Sequence, residues 1–223
     1  FELHIEQGPI LEAEEKTIGI VTDAQGQRWY EVTLTGRESH AGTTPMSLRR
    51  DALLGAARIA VAVDAIARAN APLAVGTVGL MEVRPNSRNV IPGEVFFTVD
   101  LRHPDDAVLK SMDAALSTAI AEVATAGMEA RVEEIWHFPA VRFDAGCVAA
   151  VRKATEDGGY SHRDIVSGAG HDACYVARVA PTSMIFVPCE GGISHNEIEN
   201  AKPEDLAAGA NVLLHAMVAR AGA

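Results

Sequence analysis

Along the chain the spacing of apolar residues switches between two periods, and the switches mark out its elements. Residues 28–36 alternate Tyr30, Val32 and Leu34 against Trp29, Glu31, Thr33 and Thr35 and end in glycine, which predicts a strand. From Ser47 to about Ala69, apolar positions recur at Leu48, Ala52, Leu53, Ala56, Ile59, Ala60, Val63, Ile66 and Ala67. That spacing predicts an amphipathic helix of about five or six turns. Two strand-like segments follow, Leu73 to Val83 and Val90 to Leu101, joined by Arg84-Pro85-Asn86-Ser87-Arg88-Asn89, and they read as an antiparallel pair. Pro104 opens a helix with Asp105 and Asp106 in its first turn and a stripe of Val108, Leu109, Met112, Leu116, Ile120 and Val123. Gly127 stops that helix, and Glu129 to Ile135 reads as a last strand.

The order strand, helix, strand, strand, helix, strand is the split βαβ pattern, a ferredoxin-like four-stranded antiparallel sheet with two helices on one face. Beyond Phe138-Pro139 the pattern changes. A helix near Gly146 to Asp157, a loop at Ser167 to Asp172, a buried strand Ser183 to Val187, a loop around His195 and a helix opened by Pro203 predict an α/β layer. The first strand, with alternation placing Glu2, His4 and Glu6 on one face, joins that layer. The expected organisation is an α/β domain of residues 1–23 and 138–223, interrupted by an inserted domain of residues 24–137.

With 223 residues, 48% of them hydrophobic, the chain has material for one large or two small cores. A net charge of −11 repels phosphate backbones and 5% aromatic content offers few stacking platforms, which argues against nucleic acid as a partner. No apolar run approaches the roughly 20 residues of a membrane span and no basic-plus-apolar leader is present, so a cytoplasmic location is expected. Cys147, Cys174 and Cys189 are widely spaced without C-x-x-C and read as small buried hydrophobes. The chain opens on Phe1-Glu2-Leu3-His4-Ile5 with no initiator methionine or turn signal, as though a strand were entered midway, and is expected to be a fragment.

Chemistry concentrates in a few polar segments. In Glu190-Gly191-Gly192-Ile193-Ser194-His195-Asn196-Glu197 a glycine turn presents an imidazole among acceptors, as metal ligands are often presented. Its natural partner is His4 at the other end of the sequence, provided the fold brings the ends together. Three further segments carry polar groups beside glycines: Ser39 to Pro45 with His40, Asn86 to Gly93, and Gly168-Ala169-Gly170-His171-Asp172. Ser167 lacks the first glycine of G-x-S-x-G, and no Walker or dinucleotide glycine pattern occurs. His103, His137, His162 and His215 have no such surroundings and read as structural.

Together, Glu2-Leu3-His4-Ile5-Glu6-Gln7-Gly8-Pro9, Ser39-His40-Ala41-Gly42-Thr43-Thr44-Pro45-Met46, Asn86 to Gly93, Gly168 to Ala173 and Gly192-Ile193-Ser194-His195 resemble the hydantoinase/carbamoylase family of binuclear metallo-amidohydrolases. The resemblance implies a partial di-metal aminopeptidase-like α/β catalytic domain whose inserted ferredoxin-like domain is a lid and dimerisation domain. It implies hydrolysis of non-peptide C–N bonds, first of N-carbamoyl-L-amino acids to the amino acid, CO2 and ammonia. Allantoate, or the substrates of the clan's aminoacylases and peptidases, are the alternatives.

By the same resemblance His4 and His195 are terminal ligands of different metals in a zinc or manganese pair. Gln7, Asn89, Arg102 and His171 hold the substrate's carboxylate and amide groups, Asn89 and Arg102 rising from one strand of the inserted sheet. His40 reaches across a homodimer to stabilise an oxyanion. The family's remaining ligands, in His-x-Asp and Glu-Glu patterns, lie upstream of the segment matched by His4. The chain is therefore expected to be the C-terminal portion of such an enzyme, with an incomplete metal site and no activity alone; Asp172, Glu6 and Glu197 are given no ligand role. The rival of another class is a noncatalytic dimerisation module.

Overall fold

The computed structural model describes residues 1–125 and 127–222. In chain order its elements are β1 (Glu2–Ile5), α1 (Ile10–Ala13), β2 (Ile18–Ala24), β3 (Gly26–Thr35), β4 (Ser39–His40), α2 (Ala52–Ala69), β5 (Val75–Thr77), β6 (Met81–Arg84), β7 (Val90–Ile91), β8 (Glu94–His103), α3 (Asp106–Ala124), β9 (Glu129–Phe138), β10 (Val141–Arg142), α4 (Ala145–Asp157), β11 (His162–Ser167), α5 (Asp172–Val176), β12 (Met184–Val187) and α6 (Pro203–Ala221). They fall into two units, one of Phe1–Gln25 with Val141–Ala223 and the other of Gly26–Ala140. No helix among the described residues is long and apolar enough to cross a membrane.

In the first unit the sheet runs β1-β12-β2-β10, with β11 also on β2. β1 is parallel to β12, and β12 is antiparallel to β2. Met184, Ile185, Phe186 and Val187 are all buried, so β12 is covered on both faces, and its sequence is accordingly a continuous apolar run. Ile18, Ile20, Ile185 and Val187 pack with Val151 and Ala154 of α4 and with Ala208, Val212 and Ala216 of α6.

In the second unit the order is β5-β8-β3-β9, and β6 pairs with β8 beside β5's stretch of it. Every pairing in this sheet is antiparallel. Taking β5 and β6 as one lane, the order is that of the split βαβ pattern. β8 alternates strictly, burying Val95, Phe97, Val99 and Leu101 on one side. Against that side α2 packs Ala56, Ile59 and Val63, and α3 packs Leu109, Met112 and Leu116.

Four expectations need correction. The segment read as one strand from Leu73 to Val83 is two, β5 and β6, which pair with different stretches of β8. The helix expected from Ser47 begins at Ala52, because the Asp51 side chain accepts from the Leu54 N–H and caps it there, while Met46–Leu48 form a separate 3-10 turn. Asp105 likewise caps α3, accepting from the Ala107 and Val108 N–H groups, rather than lying inside its first turn. The segment read as one strand from Val90 is two, β7 and β8, interrupted at Pro92-Gly93, and Asn89 precedes both in a turn. Proline cannot donate to a ladder, which accounts for the break.

Candidate functional site

In the first unit, β1 carries Glu2 and His4 on the same face, opposite Met184 and Phe186 in the register with β12. The third member of that face, Glu6, is buried and structural: its carboxylate accepts from the Ile10 and Leu11 N–H groups at 2.8 and 2.7 Å, holding the start of α1. His4 Nδ1 lies 2.8 Å from the Ile5 carbonyl. A carbonyl only accepts, so Nδ1 carries a proton, and Nε2 is the ring nitrogen on the side away from that bond that a metal would use.

His171, in the loop between β11 and α5, stands edge-on to His4 with ring centroids 4.7 Å apart and packs against the Phe186 ring. Its side chain is 2% exposed, and its Nε2 lies 2.9 Å from the buried Ser167 Oγ. Burial, aided by the neighbouring His4, pushes its pKa down to about 4, so it is neutral at physiological pH. Glu2 completes the group. Its Oε2 accepts from the Ala173 N–H at 2.6 Å and its Oε1 faces His171 Nδ1 at 3.8 Å.

The loop after β12 carries His195, reached through Gly191 and Gly192 at φ 63° and 65°. A Cβ on Gly192 would sit 2.9 Å from the backbone of Pro9, so only glycine lets this loop press against the loop after β1. Gln7 Nε2 donates to Ser194 Oγ at 3.0 Å across the same contact. Gln7 and His195 are themselves left-handed, at φ 57° and 55°, a conformation that costs energy for residues with a Cβ and collects at functional loops. His195 is exposed, and its N–H donates to Glu199 Oε2 at 3.1 Å. The Glu199 carboxyl is held below its usual range, first by hydrogen bonds from the Ser194 side chain and the His195 N–H, which ties this loop together.

The second unit brings His40 and Asn89 together. β4 pairs with β7, and the Ala41 N–H donates to the Asn89 carbonyl. His40 Nδ1 accepts from the Gly42 and Thr43 N–H groups at 3.0 and 3.3 Å, so its proton lies on Nε2, which is left as a donor. Arg49 fastens this loop through the Ala41 and Thr44 carbonyls, a role its sequence context does not announce. Arg102 sits at the opposite end of β8 from β7, about 26 Å along the strand from Glu94 at ~3.3 Å per residue. Its guanidinium grips Asp100 through Nε and NH2.

These residues can be set beside known proteins. The sequence model of peptidase family M20/M25/M40 matches residues 1–219. The chain belongs to that family. M20 members are generally metal-dependent, and the donor set around His4, two imidazoles and a carboxylate, fits a divalent cation. Among relatives, the chain is 54% identical over 219 residues to an N-carbamoyl-L-amino-acid amidohydrolase of Rhizobium meliloti, covering 98% of this chain and 53% of that protein. It is 42% identical over 217 residues to an allantoate amidohydrolase of Escherichia coli K12, covering 95% and 52%. A hydantoinase/carbamoylase family amidase structure from Burkholderia multivorans superposes with a TM-score of 0.96 at 67% identity, covering 98% of this chain and 53% of that one. The resemblance carried by the five segments thus agrees with the relatives of this M20 chain, which spans about half the length of the curated proteins it matches.

Glu2 is the residue of the first unit's cluster that sequence reasoning left without a role. Its one available signal was the alternation placing it on the face of His4.

Proposed function

We propose that this chain is part of a metal-dependent amidohydrolase that cleaves non-peptide C–N bonds in linear amides, with N-carbamoyl-L-amino acids as substrates and the amino acid, CO2 and ammonia as products. The observation that carries the reading is the similarity to the Rhizobium meliloti amidohydrolase over 98% of the chain. The similarity to the Escherichia coli allantoate amidohydrolase supports allantoate as a second reading.

His4, through Nε2, and His195 are the proposed ligands of a zinc or manganese pair. When bound, such metals polarise a carbonyl and lower the pKa of a water. His40 donates from Nε2 to a developing oxyanion; its Nδ1 is already occupied as an acceptor, so the donor's direction is set before substrate arrives. Gln7, His171, Asn89 and Arg102 orient the substrate's amide and carboxylate groups. The unit of Gly26–Ala140 serves as lid and dimerisation domain, supported by β9, an end strand of its sheet that is exposed on both faces over most of its length. A cytoplasmic location belongs to the same reading, since all three cysteines are free and buried.

The test is an assay of the complete protein with manganese or zinc on N-carbamoyl amino acids, allantoate, N-acetyl amino acids and dipeptides. Preferential ammonia release from carbamoyl substrates is expected. Preference for acetyl or dipeptide substrates would overturn the carbamoyl reading, and no turnover on any of them would leave the noncatalytic dimerisation module. The 223-residue chain alone is expected to be inactive, because it spans about half of its relatives. Sedimentation of the chain at high concentration should show a dimer; monomer alone would remove the lid's dimerising role.

A further inference from the structure

We propose that the open face of the inserted unit's sheet carries an aromatic subsite for the side chain of an N-carbamoyl amino acid, formed by Trp29, Thr77, Thr98, Asp100 and Ile135 beside Arg102. The proposal rests on the reading of Arg102 as a group that meets the substrate's carboxylate, and adds that the side chain recognised is large and apolar. A cavity of about 330 Å3 opens among these residues, at the lower end of the range that small ligands occupy.

The register of the sheet sets these groups next to one another. Trp29, Asp100 and Thr77 lie side by side across β3, β8 and β5, and Gln27, Arg102 and Val75 form the adjoining row on the same face. Two residues of strand separate the rows, about 6.6 Å at ~3.3 Å per residue. Arg102 reaches back to Asp100 through Nε and NH2, so the guanidinium borders the cavity at its polar end. On the other side of the Trp29 row, β3 carries Glu31 beside Thr98, with Glu133 of β9 opposite it. A carboxylate is repelled at that end and finds N–H donors at the other. An amphiphilic anion therefore has one favoured orientation, with its charged head at Arg102 and its apolar part over Trp29.

The apolar part of this face is large for a surface. Trp29 and Trp136 face each other across β3 and β9 with ring centroids 6.1 Å apart, and remain 38% and 41% exposed. β9 is bulged at this point: Trp136 pairs with Trp29 and Glu134 with Tyr30, so Ile135 is the extra residue, and it lines the cavity. A bulge re-aims a side chain, and this one sets a branched aliphatic wall beside the indole. A cross-strand aromatic pair also steadies a sheet. That role requires neither the cavity, nor the bulge, nor the Arg102–Asp100 pair in the next row. The subsite lies wholly within Gly26–Ala140, so this chain contains all of it.

Trp29 and Trp136 are the chain's two tryptophans, so its indole fluorescence reports on this face alone. Titration of the 223-residue chain with N-carbamoyl-L-phenylalanine, excited in the indole band, should give a saturable change. N-carbamoylglycine should bind at least about tenfold more weakly, the difference expected for burying one aromatic side chain. Phenethylurea, which has the ring and no carboxylate, should also bind more weakly. In the complete protein, Trp29→Ala should narrow the preference in kcat/KM for the phenylalanine substrate over the glycine substrate by about tenfold, and Trp29→Phe should restore most of it. The proposal is overturned if the fluorescence shows no saturable change, if the glycine compound or phenethylurea binds as tightly, or if Trp29→Ala leaves the preference as in the parent. Its failure can be told from that of the proposed function: a complete protein that turns over no carbamoyl substrate still leaves the fluorescence titration to decide the subsite.

Discussion

The two units solve the same problem of presenting polar groups in opposite ways. In Gly26–Ala140 the sheet is covered on one side, β8 alternates, and the candidate residues His40 and Asn89 lie exposed on a short ribbon. In the other unit β12 is covered on both sides, and the candidates are His4 on β1 beside it and Gln7, His171 and His195 on loops, with His171 at 2% side-chain exposure. One-sided burial leaves a free face on which side chains remain adjustable. Two-sided burial moves chemistry to the ends of strands, where glycine contacts and outer hydrogen bonds fix it in advance.

The largest effects should come from testing that contrast in the cores. Ile185→Ala and Phe186→Ala, neighbours on β12, should each cost about 2–5 kcal/mol, because both faces of the strand are packed. On β8 only alternate positions should respond so. Phe97→Ala should cost about 3–5 kcal/mol and Phe96→Ala less than half of that. Urea denaturation measures all four, and equal costs at Phe96 and Phe97 would break the contrast.

A smaller effect tests the loops. Gly192→Ala combines a left-handed φ with a Cβ 2.9 Å from Pro9 and should cost about 1–2 kcal/mol. Gly42→Ala, beside His40, meets only the imidazole edge at 3.2 Å, keeps its N–H, and should change stability by no more than about 0.5 kcal/mol. Comparable losses at the two glycines would mean that the His40 loop is as rigidly set as the His195 loop.

Helix caps provide a case in which the units should not differ. Asp105→Ala removes the acceptor for two N–H groups of α3 and should cost about 1 kcal/mol by thermal or urea unfolding. Asp144 caps α4 through the Cys147 N–H, and that bond holds its carboxyl below the ordinary value of 3.8. Its contribution is present above pH 3.8 and fades as pH falls through the lowered value. The stability difference between the parent and Asp144→Ala should therefore be flat near neutrality and shrink in acid. A difference that grew in acid would contradict the assignment.

What the sequence made legible follows the same division. In the inserted unit, alternation in β3 and β8 and the stripes of α2 and α3 are local patterns, and the order of elements could be read from them. In the other unit β2, with Ile18-Gly19-Ile20-Val21 buried in succession, carries no alternation to separate it from a short helix or a buried loop. β11 mixes His162, Arg163 and Asp164 into a strand and gives no periodic signal. Among the candidate site residues, His4, His40, His171 and His195 stand out in the sequence through nearby glycines and polar residues. Glu2 did not, because its partners His171 and Ala173 lie far along the chain and meet it only once β1 has docked on β12. Asn89 lies in a turn although the sequence suggests a strand there, because the run from Val90 looks continuous until Pro92 is given its missing donor.

The pairing of Arg102 with Asp100 changes what that arginine can offer. Its charge is already matched on its own strand, so an approaching anion meets a nearly neutral pair rather than an isolated cation. Long-range attraction, the part of recognition that salt screens, is largely cancelled there. What remains is the direction of the guanidinium's N–H groups, held rigid by the aspartate. Were Arg102 to meet substrate as proposed, it would discriminate by stereochemistry, and ionic strength should leave its contribution almost untouched.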